Sequence, residues 1–319
     1  MNGHVLRFLA GGSLRYLQNL AKNAARTALG RPRRHPDGDV LFGQYVRGLL
    51  GGRGVSKITC ICSTREGAGS QALMTMRAIR FARAHGLAYA HTPFREIHHA
   101  DRPMSDWAAA WEAQFNLGAG EGTDTRDAVN FAFTFPALCA LYGVTDDEAP
   151  FEDALVGEFR RRYRLGKPRA TGALASVCVH VRRRNRHDFH AEDSADMACV
   201  AAVVARVRRM LEERRLPHRL RVFSQGEPAE FHALDLPRDS LFLDADPLWS
   251  MREMIDADLL VTTRGTFSHV TGLLCEGVVL ADGSIPPQPD WLTYDARGAF
   301  EEERLASAVS ARMRSASGR

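Results

Sequence analysis

Apolar residues recur along the chain with two different periods, and their alternation predicts an α/β fold. KITCICS (57–63) has the pattern of a buried strand, and QALMTMRAIRFARAHG (71–86) has a helical period that ends at a glycine. The alternation is most regular later in the chain, where five strands are predicted, at 175–181, 219–224, 240–245, 258–263 and 278–282. Ser194 is the predicted N-cap of the helix that follows the first of them. Strands separated by helices predict a doubly wound parallel sheet, which binds ligands at the carboxyl ends of its strands.

A break in the alternation predicts two Rossmann-like domains with parallel sheets. Residues 104–165 have mainly helical patterns, and LGKPRATG (165–172) has the composition of a crossing point between domains. We therefore predict a first α/β domain at 41–165 and a second at 166–319, both of ordinary domain size. With 319 residues, of which 45% are hydrophobic, the chain can bury two cores.

Residues 1–40 differ from the rest of the chain and are predicted to form a basic helical arm and a linker. Residues 1–36 hold seven lysines and arginines and no acid, and several apolar residues fall on one side of a helix. Such a segment can dock on the protein, lie on an anionic membrane surface or serve as a transit peptide. No apolar run predicts a membrane span, so we expect a cytoplasmic protein, with peripheral contact to the inner face of a membrane through residues 1–36 as one alternative.

Composition excludes few classes of function. The net charge of +4 is mildly basic and the cations form no continuous stripe, so no nucleic-acid partner is expected. The six cysteines lack metal-ligand spacing, which predicts reduced thiols in apolar surroundings. His98-His99 has no fixed third ligand, and the DAD triplets at 244–246 and 256–258 fit strand or helix ends, so neither a metal nor another cofactor is expected.

Two loops that follow predicted strands carry residues suited to a phosphate. In SVCVHVRRRNRHDFHAED (176–193) a strand runs into arginines, whose guanidinium fork can hold a phosphate with two hydrogen bonds. In TTRGTFSHVTGLL (262–274) a turn leads into a helix whose first amides can bind an anion. Alternatively, Thr266 is only a helix cap and residues 188–193 are only a loop into the next helix. Two such loops at one edge of one sheet favour a nucleotide ligand.

These loops resemble the donor-binding half of fucosyltransferases with the GT-B fold. HVRR after a strand, and LVTTRGTFS about eighty residues later, are similar to motifs of the bacterial α-1,2- and α-1,6-fucosyltransferases and, more loosely, of the protein O-fucosyltransferases. REGAGSQALMTMRAIRFARAHGL (65–87) is similar to the glycine loop and helix of the family's first domain. The resemblance covers roughly residues 57–90 and 174–282.

The resemblance implies a role for each matching residue. Arg182 would bind the β-phosphate of a GDP-sugar and neutralise the leaving group. His180 and Arg183 would help to hold the nucleotide, and Asp246 would read the guanine edge. Thr266, Phe267 and Ser268 would contact the diphosphate at a helix start. The glycine loop would close over the donor or the acceptor with Gly67, Gly69, Ser70 and Gln71.

The implied activity is inverting, metal-independent transfer of fucose or a related sugar from a GDP-sugar to a glycan, a glycolipid or another hydroxyl acceptor, as in bacterial polysaccharide synthesis. A general base is also desirable, and Glu192 and Asp188 rank first by their position in the loop after HVRR. Trp107 and Trp111 suit a sugar acceptor cleft, but their i and i+4 spacing equally fits a helix core.

The chain also departs from the family pattern. Arg184-Asn185 stands where the family has Gly-Asp, Ser70 replaces an asparagine, and His269 replaces an aromatic residue. These departures leave the sugar and the linkage open. They also keep a second hypothesis, a catalytically inactive relative that binds nucleotide sugars or glycans.

Overall fold

A computed structural model describes residues 55–63, 66–98, 100, 102–142, 144, 149–169, 174–183 and 194–317. The basic arm lies outside these residues, as do Asp188, Glu192 and the Arg184-Asn185 departure. Two parallel sheets flanked by helices confirm the predicted α/β class. None of the helices in the described ranges combines the length and the hydropathy needed to cross a bilayer.

The first sheet is small, with three parallel strands in the order β2–β1–β3. The strands are β1 (Lys57–Thr59), β2 (Ala88–Tyr89) and β3 (Val129–Asn130). The helices are α1 (Ala68–Ala84), α2 (Met104–Phe115), α3 (Phe131–Tyr142) and α4 (Asp153–Arg164). Strand β1 is shorter than the pattern at 57–63 predicts, and β3 interrupts the segment predicted to be helical. Helix α1 ends near Gly86 as predicted, and the φ of 65° at Gly86 suits a residue without a side chain.

The second sheet has six parallel strands in the order β6–β5–β4–β7–β8–β9. The strands are β4 (Ala175–His180), β5 (His218–Ser224), β6 (Leu241–Leu243), β7 (Leu259–Thr262), β8 (Val278–Ala281) and β9 (Leu292–Thr293). The helices are α5 (Met197–Glu213), α6 (Pro247–Ile255), α7 (Thr266–Leu274) and α8 (Glu302–Ser317), with 3-10 turns at Pro228–Leu234 and Arg238–Ser240. All five predicted strands are present, and the short β9 is a sixth.

The chain enters the second sheet at its centre and then builds outward in both directions. Strands β5 and β6 lie on one side of β4, and β7, β8 and β9 lie on the other, which is the Rossmann strand order. His180 pairs with Thr262 at the last position shared by β4 and β7. The loops after β4 and β7 therefore leave neighbouring strand ends where the order reverses, and such sheets bind ligands at that point.

The two sheets share one hydrophobic core. Helices α6 and α7 lie between them, and a single buried cluster contains Trp111 and Phe115 from α2 with Met251 from α6 and Leu273 from α7. A second cluster, with α5 and α8, covers the opposite face of the second sheet. Trp107 and Trp111 are only 3% and 2% exposed, and their ring centroids lie 5.6 Å apart. The helix-core alternative is therefore correct for this pair, and the acceptor-cleft alternative is wrong, because neither ring faces an open cleft.

Candidate functional site

The crevice between the carboxyl ends of β4 and β7 brings the two predicted phosphate loops together. The backbone N–H of Arg182 donates to Thr263 Oγ1 at 2.8 Å, which joins the loop after β4 to the loop after β7. A Cβ added to Gly265 would lie 3.8 Å from Cδ and 4.0 Å from Nε of Arg182. The Arg182 side chain therefore runs past the start of helix α7.

Helix α7 begins with a glycine and has no side-chain cap. Gly265 is its N-cap and has a φ of 104°, a conformation that residues with a Cβ rarely adopt. Thr266 is the first helical residue, so the alternative in which Thr266 is only a cap is wrong. The first amides of a helix without a side-chain acceptor remain available to an anion.

Helix α1 of the first sheet begins in the same way and meets the first turn of α7. Its N-cap is Gly67, again without a side-chain hydrogen bond. A Cβ added to Gly69 would lie 2.7 Å from both the N and the Cα of Phe267, so only glycine lets these two backbones touch. Each helix N-terminus carries a partial positive charge, and two that meet favour an anion between or beside them.

Helices α5 and α6 start at the same edge but are capped by aspartates. Asp196 accepts a hydrogen bond from the N–H of Ala198 at 2.9 Å, and Asp246 accepts one from the N–H of Trp249 at 2.8 Å. The cap of α5 is therefore Asp196, and the prediction of Ser194 was wrong. Since two of the four helix starts are filled by the chain's own carboxylates, the glycine caps distinguish the crevice from the rest of the edge.

Asp246 has partners within the chain for both of its carboxylate oxygens. One oxygen caps α6, and the other accepts a hydrogen bond from Arg102 of the first half at 2.9 Å. The side chain remains 43% exposed, so a ligand can still reach it. The guanine contact implied for Asp246 stays a prediction, and it would share the carboxylate with Arg102.

His180 and Ser268 fix β4 to the start of α7. The His180 Nδ1 and Ser268 Oγ atoms lie 2.5 Å apart, and Ser268 is 1% exposed. Although His180 keeps some accessible surface, protein encloses its ring, and this burial, followed by the positive charge of Arg182, lowers the pKa of His180 to about 3. The Phe267 ring lies 5.2 Å from the His180 ring and 6.2 Å from the Trp111 ring. These side chains position the loop, and their direct contact with a nucleotide stays a prediction.

Arg183 and Gln71 make contacts that brace the loops around the crevice. Arg183 forms an ion pair with Glu230 in the 3-10 turn after β5. The buried Gln71 amide donates to the carbonyl oxygens of Glu66 at 3.0 Å and Glu96 at 2.7 Å. A contact of either side chain with a donor stays a prediction.

Two residues near the crevice were not among the predicted ones. Thr263 accepts a hydrogen bond from the backbone N–H of Arg182. The sequence feature that could have pointed to it is a second threonine directly after strand β7. Glu66 lies one residue before the cap of α1, and burial raises the pKa of its carboxyl group. The sequence feature that could have pointed to Glu66 is an acidic residue inside the glycine loop. An acid of raised pKa beside an anion site is a candidate general base.

The DAD triplets occupy structural positions, as predicted. Asp244 lies in a turn with a φ of 51°, and Asp246 is the α6 cap. Asp256 and Asp258 lie at the opposite, amino edge of the sheet, where Asp258 accepts a hydrogen bond from the N–H of Ser176 at 3.0 Å. Within the described ranges, no three His, Cys, Asp or Glu residues group as metal ligands.

Comparison with known proteins finds similarity only to solved structures. No protein-family model and no curated protein matches the chain. A glycosyl transferase family 9 structure from Veillonella parvula is 11% identical over 81% of this chain and 97% of that chain, with a TM-score of 0.38. The E. coli heptosyltransferase WaaC with ADP is 13% identical over 82% and 99% (TM-score 0.34), and POFUT1 in complex with GDP is 12% identical over 75% and 97% (TM-score 0.35). Likeness at this level identifies no family, donor or acceptor for this chain.

Proposed function

We propose that this protein is a glycosyltransferase that uses a nucleotide-sugar donor. The observation that carries the proposal is the meeting of two glycine-capped helix N-termini, those of α1 and α7, beside Arg182 at the reversal of the strand order. A diphosphate is the ligand that suits these donors, because it is highly charged and can accept from several amides and a guanidinium at once.

In the proposed reaction the acceptor hydroxyl attacks the anomeric carbon from the face opposite the diphosphate. The new C–O bond forms as the bond to the β-phosphate oxygen breaks, and that electron pair remains on the nucleoside diphosphate. The acceptor proton passes to a base, and the configuration at the anomeric carbon inverts. The transition state resembles an oxocarbenium ion, as in glycoside hydrolysis. Arg182 and the helix amides would stabilise the charge that develops on the leaving group.

We propose that this stabilisation needs no metal ion. The guanidinium of Arg182 is a cation with several N–H donors in one plane, which suits the oxygens of a phosphate. Together with two helix N-termini it would supply the positive charge that a divalent cation supplies in other transferases.

Three carboxyl groups are candidates for the general base. Asp188 and Glu192, proposed from the sequence, lie in the loop after β4 and outside the described residues. Glu66 is the candidate that the described residues add, since its raised pKa brings it closer to the range in which a carboxylate accepts a proton efficiently. Retained donor binding with lost transfer in Glu66→Gln, but not in Asp188→Asn or Glu192→Gln, would assign the role to Glu66.

The proposed donor is a GDP-sugar carrying fucose or a related sugar, and the proposed acceptor is a glycan, a glycolipid or another hydroxyl compound. The resemblance of HVRR and LVTTRGTFS to fucosyltransferase motifs supports this choice. The basic residues at 1–36 would hold a cytoplasmic enzyme against a membrane that carries a lipid-linked acceptor. Liposome binding that does not change when residues 1–36 are deleted would count against the membrane contact.

The second candidate function is a nucleotide-sugar- or glycan-binding protein without transferase activity. Arg183, the second arginine of the motif, is paired with Glu230, and the Gly-Asp of the family pattern is absent from the sequence. Sugar transfer or donor hydrolysis by the purified protein would exclude this candidate.

Calorimetry of the full chain with GDP, GDP-fucose and UDP tests the proposed donor site. We expect both guanine nucleotides to bind more tightly than UDP. Arg182→Ala should lower the affinity for GDP by roughly a hundredfold or more, because it removes charge-assisted hydrogen bonds to the diphosphate, and should leave the circular dichroism spectrum unchanged. Arg209→Ala is the matched control, since Arg209 lies on the surface and pairs with Glu302. A wild-type protein that binds no nucleoside diphosphate would refute the proposal.

A further inference from the structure

A small polar pocket adjoins the crevice between the ends of β7 and β8. Gly265, which lies against Arg182, forms part of its wall, together with Thr263, His269, Asp282, Ser284 and Trp291. The cavity volume is about 10 Å³, which is room for one group the size of a water molecule. Because Gly265 lines both this pocket and the crevice, a group in the pocket lies next to the proposed diphosphate site.

His269 is a buried polar side chain with unused hydrogen-bonding capacity. It is 7% exposed, and neither of its ring nitrogens has a hydrogen-bond partner among the described residues. Burial, followed by the positive charge of Arg77, lowers the pKa of His269 to about 4, so the ring is neutral at pH 7. A neutral imidazole has one donor and one acceptor nitrogen, which is what a hydroxyl group requires.

The orientation of the His269 ring is fixed by its neighbours. Its centroid lies 5.1 Å from the ring of Trp291. A Cβ added to Gly272 of α7 would lie 2.7 Å from Cη2 of Trp291, so the tryptophan is packed directly against the helix. The imidazole is therefore held in place before any ligand binds.

The other walls of the pocket add a carboxylate and hydroxyl groups. The Oδ1 atom of Asp282 accepts hydrogen bonds from the N–H and the Oγ of Ser284 at 3.0 and 2.8 Å. Thr263 accepts the Arg182 amide and keeps its own hydroxyl proton for donation. The Tyr294 hydroxyl donates to the carbonyl of Thr262 at 3.0 Å and holds the end of β7 in place.

We propose that this pocket binds one hydroxyl group of the transferred sugar, with His269 as its main partner. The inference rests on the proposed function, since the sugar follows the β-phosphate and the β-phosphate would lie on the amides that begin at Gly265. A hydroxyl fits the volume and satisfies the imidazole and the carboxylate. A hydrogen atom in its place would leave the buried His269 imidazole unpaired, and a site built for a hydroxyl rejects such analogues strongly.

Calorimetry with GDP and GDP-fucose on the wild type and on His269 variants tests this pocket. His269→Leu should weaken binding of GDP-fucose roughly tenfold or more and leave the affinity for GDP within about twofold. His269→Asn keeps a donor and an acceptor and should restore part of the loss. Asp282→Ala, at another lining residue, should show the same selective loss and serves in place of His269→Leu if that variant does not fold. His218→Leu is the control, because His218 lies at the start of β5 and contacts the carbonyl of Leu216.

Analogues of GDP-fucose that lack one hydroxyl group at C2, C3 or C4 sharpen the test. One of the three should bind the wild type at least tenfold more weakly than GDP-fucose, and this penalty should disappear in His269→Leu. Equal losses for GDP and GDP-fucose in the folded variants, or wild-type affinities that do not distinguish GDP-fucose from GDP, would overturn the pocket and leave the nucleotide site standing. A wild type that binds no nucleotide would overturn the proposed function, and the pocket proposal with it.

Discussion

The amino and carboxyl edges of the second sheet differ in how their charged groups are paired. At the amino edge, arginines from several parts of the chain meet carboxylates beside β7. Arg164 pairs with Asp256, while Arg169 and Arg312 lie 3.3 and 3.8 Å from Asp258. These arginines face carboxylates of the same chain, so the amino edge serves the fold.

At the carboxyl edge, two of the helix starts that the structure describes lack a side-chain cap. Its outer helices α5 and α6 are capped by Asp196 and Asp246, whereas α1 and α7 begin at Gly67 and Gly265 beside Arg182. Among the described residues, the uncapped helix starts therefore lie at the reversal of the strand order, and the capped ones lie to its side. The comparison makes helix starts without a side-chain cap, rather than positive charge as such, the feature that sets the candidate anion site apart within the described part of the chain.

The largest effect is expected from closing the contact between the two glycine-capped helices. In Gly69→Ala the new Cβ would lie 2.7 Å from the backbone of Phe267, so α1 and α7 must move apart. We expect the free energy of unfolding to fall by about 3 kcal/mol and the affinity for GDP to fall by roughly a hundredfold, measured by urea denaturation and calorimetry. Gly67→Ala is the control for stability, since no atom lies within 4 Å of its added Cβ. Its free energy of unfolding should stay within about 1 kcal/mol of the wild-type value. Wild-type affinity in Gly69→Ala would show that the contact does not shape the site.

At the amino edge we expect a smaller effect, which lowers the stability and leaves the affinity for GDP almost unchanged. Asp258→Ala removes the acceptor of the Ser176 N–H and one of the two carboxylates beside Arg169, the other being Glu276. It should lower the free energy of unfolding by about 2 kcal/mol. The affinity of the folded variant for GDP should remain within twofold. Glu213→Ala, at an exposed pair with Arg209, should change stability by less than about 0.5 kcal/mol. A loss of GDP affinity as large as in Arg182→Ala would mean that the two edges are not separate in function.

Acid should act on the carboxyl edge through its two buried histidines. Burial is the main cause that lowers the pKa of His180 to about 3 and of His269 to about 4, whereas both take up a proton near pH 6.5 once unfolded. Their contribution to stability is therefore complete above pH 6.5 and is lost progressively as the pH falls toward 4.

Between pH 7 and pH 5 each of these histidines should lower the free energy of unfolding by roughly 2 kcal/mol. Urea denaturation of the wild type and of His269→Leu at both pH values measures the contribution of one of them. The variant should lose about 2 kcal/mol less than the wild type over this range. An identical pH dependence in the two proteins would show that the His269 ring is protonated as easily in the folded state as in the unfolded state.

Most strands with an apolar pattern could be predicted from the sequence, and two strands of two residues could not. Five of the six strands of the second sheet and the end of α1 at Gly86 follow from apolar alternation and from a glycine. Strands β3 and β9 have two residues each, and their conformation depends on pairing with β1 and β8 rather than on their own sequence. The cap of α5 was misassigned because Ser194 and Asp196 both have suitable side chains.

The parts of the candidate site that lie within one loop could be predicted from the sequence, whereas the contacts between loops could not. Arg182 and the turn at Gly265 follow from their position after predicted strands. The contact of Gly69 with Phe267 depends on how the two sheets pack, and no local pattern contains that information. The hydrogen bond between His180 and Ser268 was missed for the same reason, because each was assigned to a ligand before the other could be considered as its partner.

The core shared by the two sheets has a consequence for how the molecule folds. Trp111 and Phe115 are buried in the same cluster as Met251 and Leu273 of the later half. Neither half would have a complete interior by itself, so we expect a single cooperative transition, with residues 165–166 marking a change in the course of the chain rather than a break in cooperativity. A ligand bound in the crevice would then raise the melting temperature of the entire chain, because there is no half that could melt without releasing it.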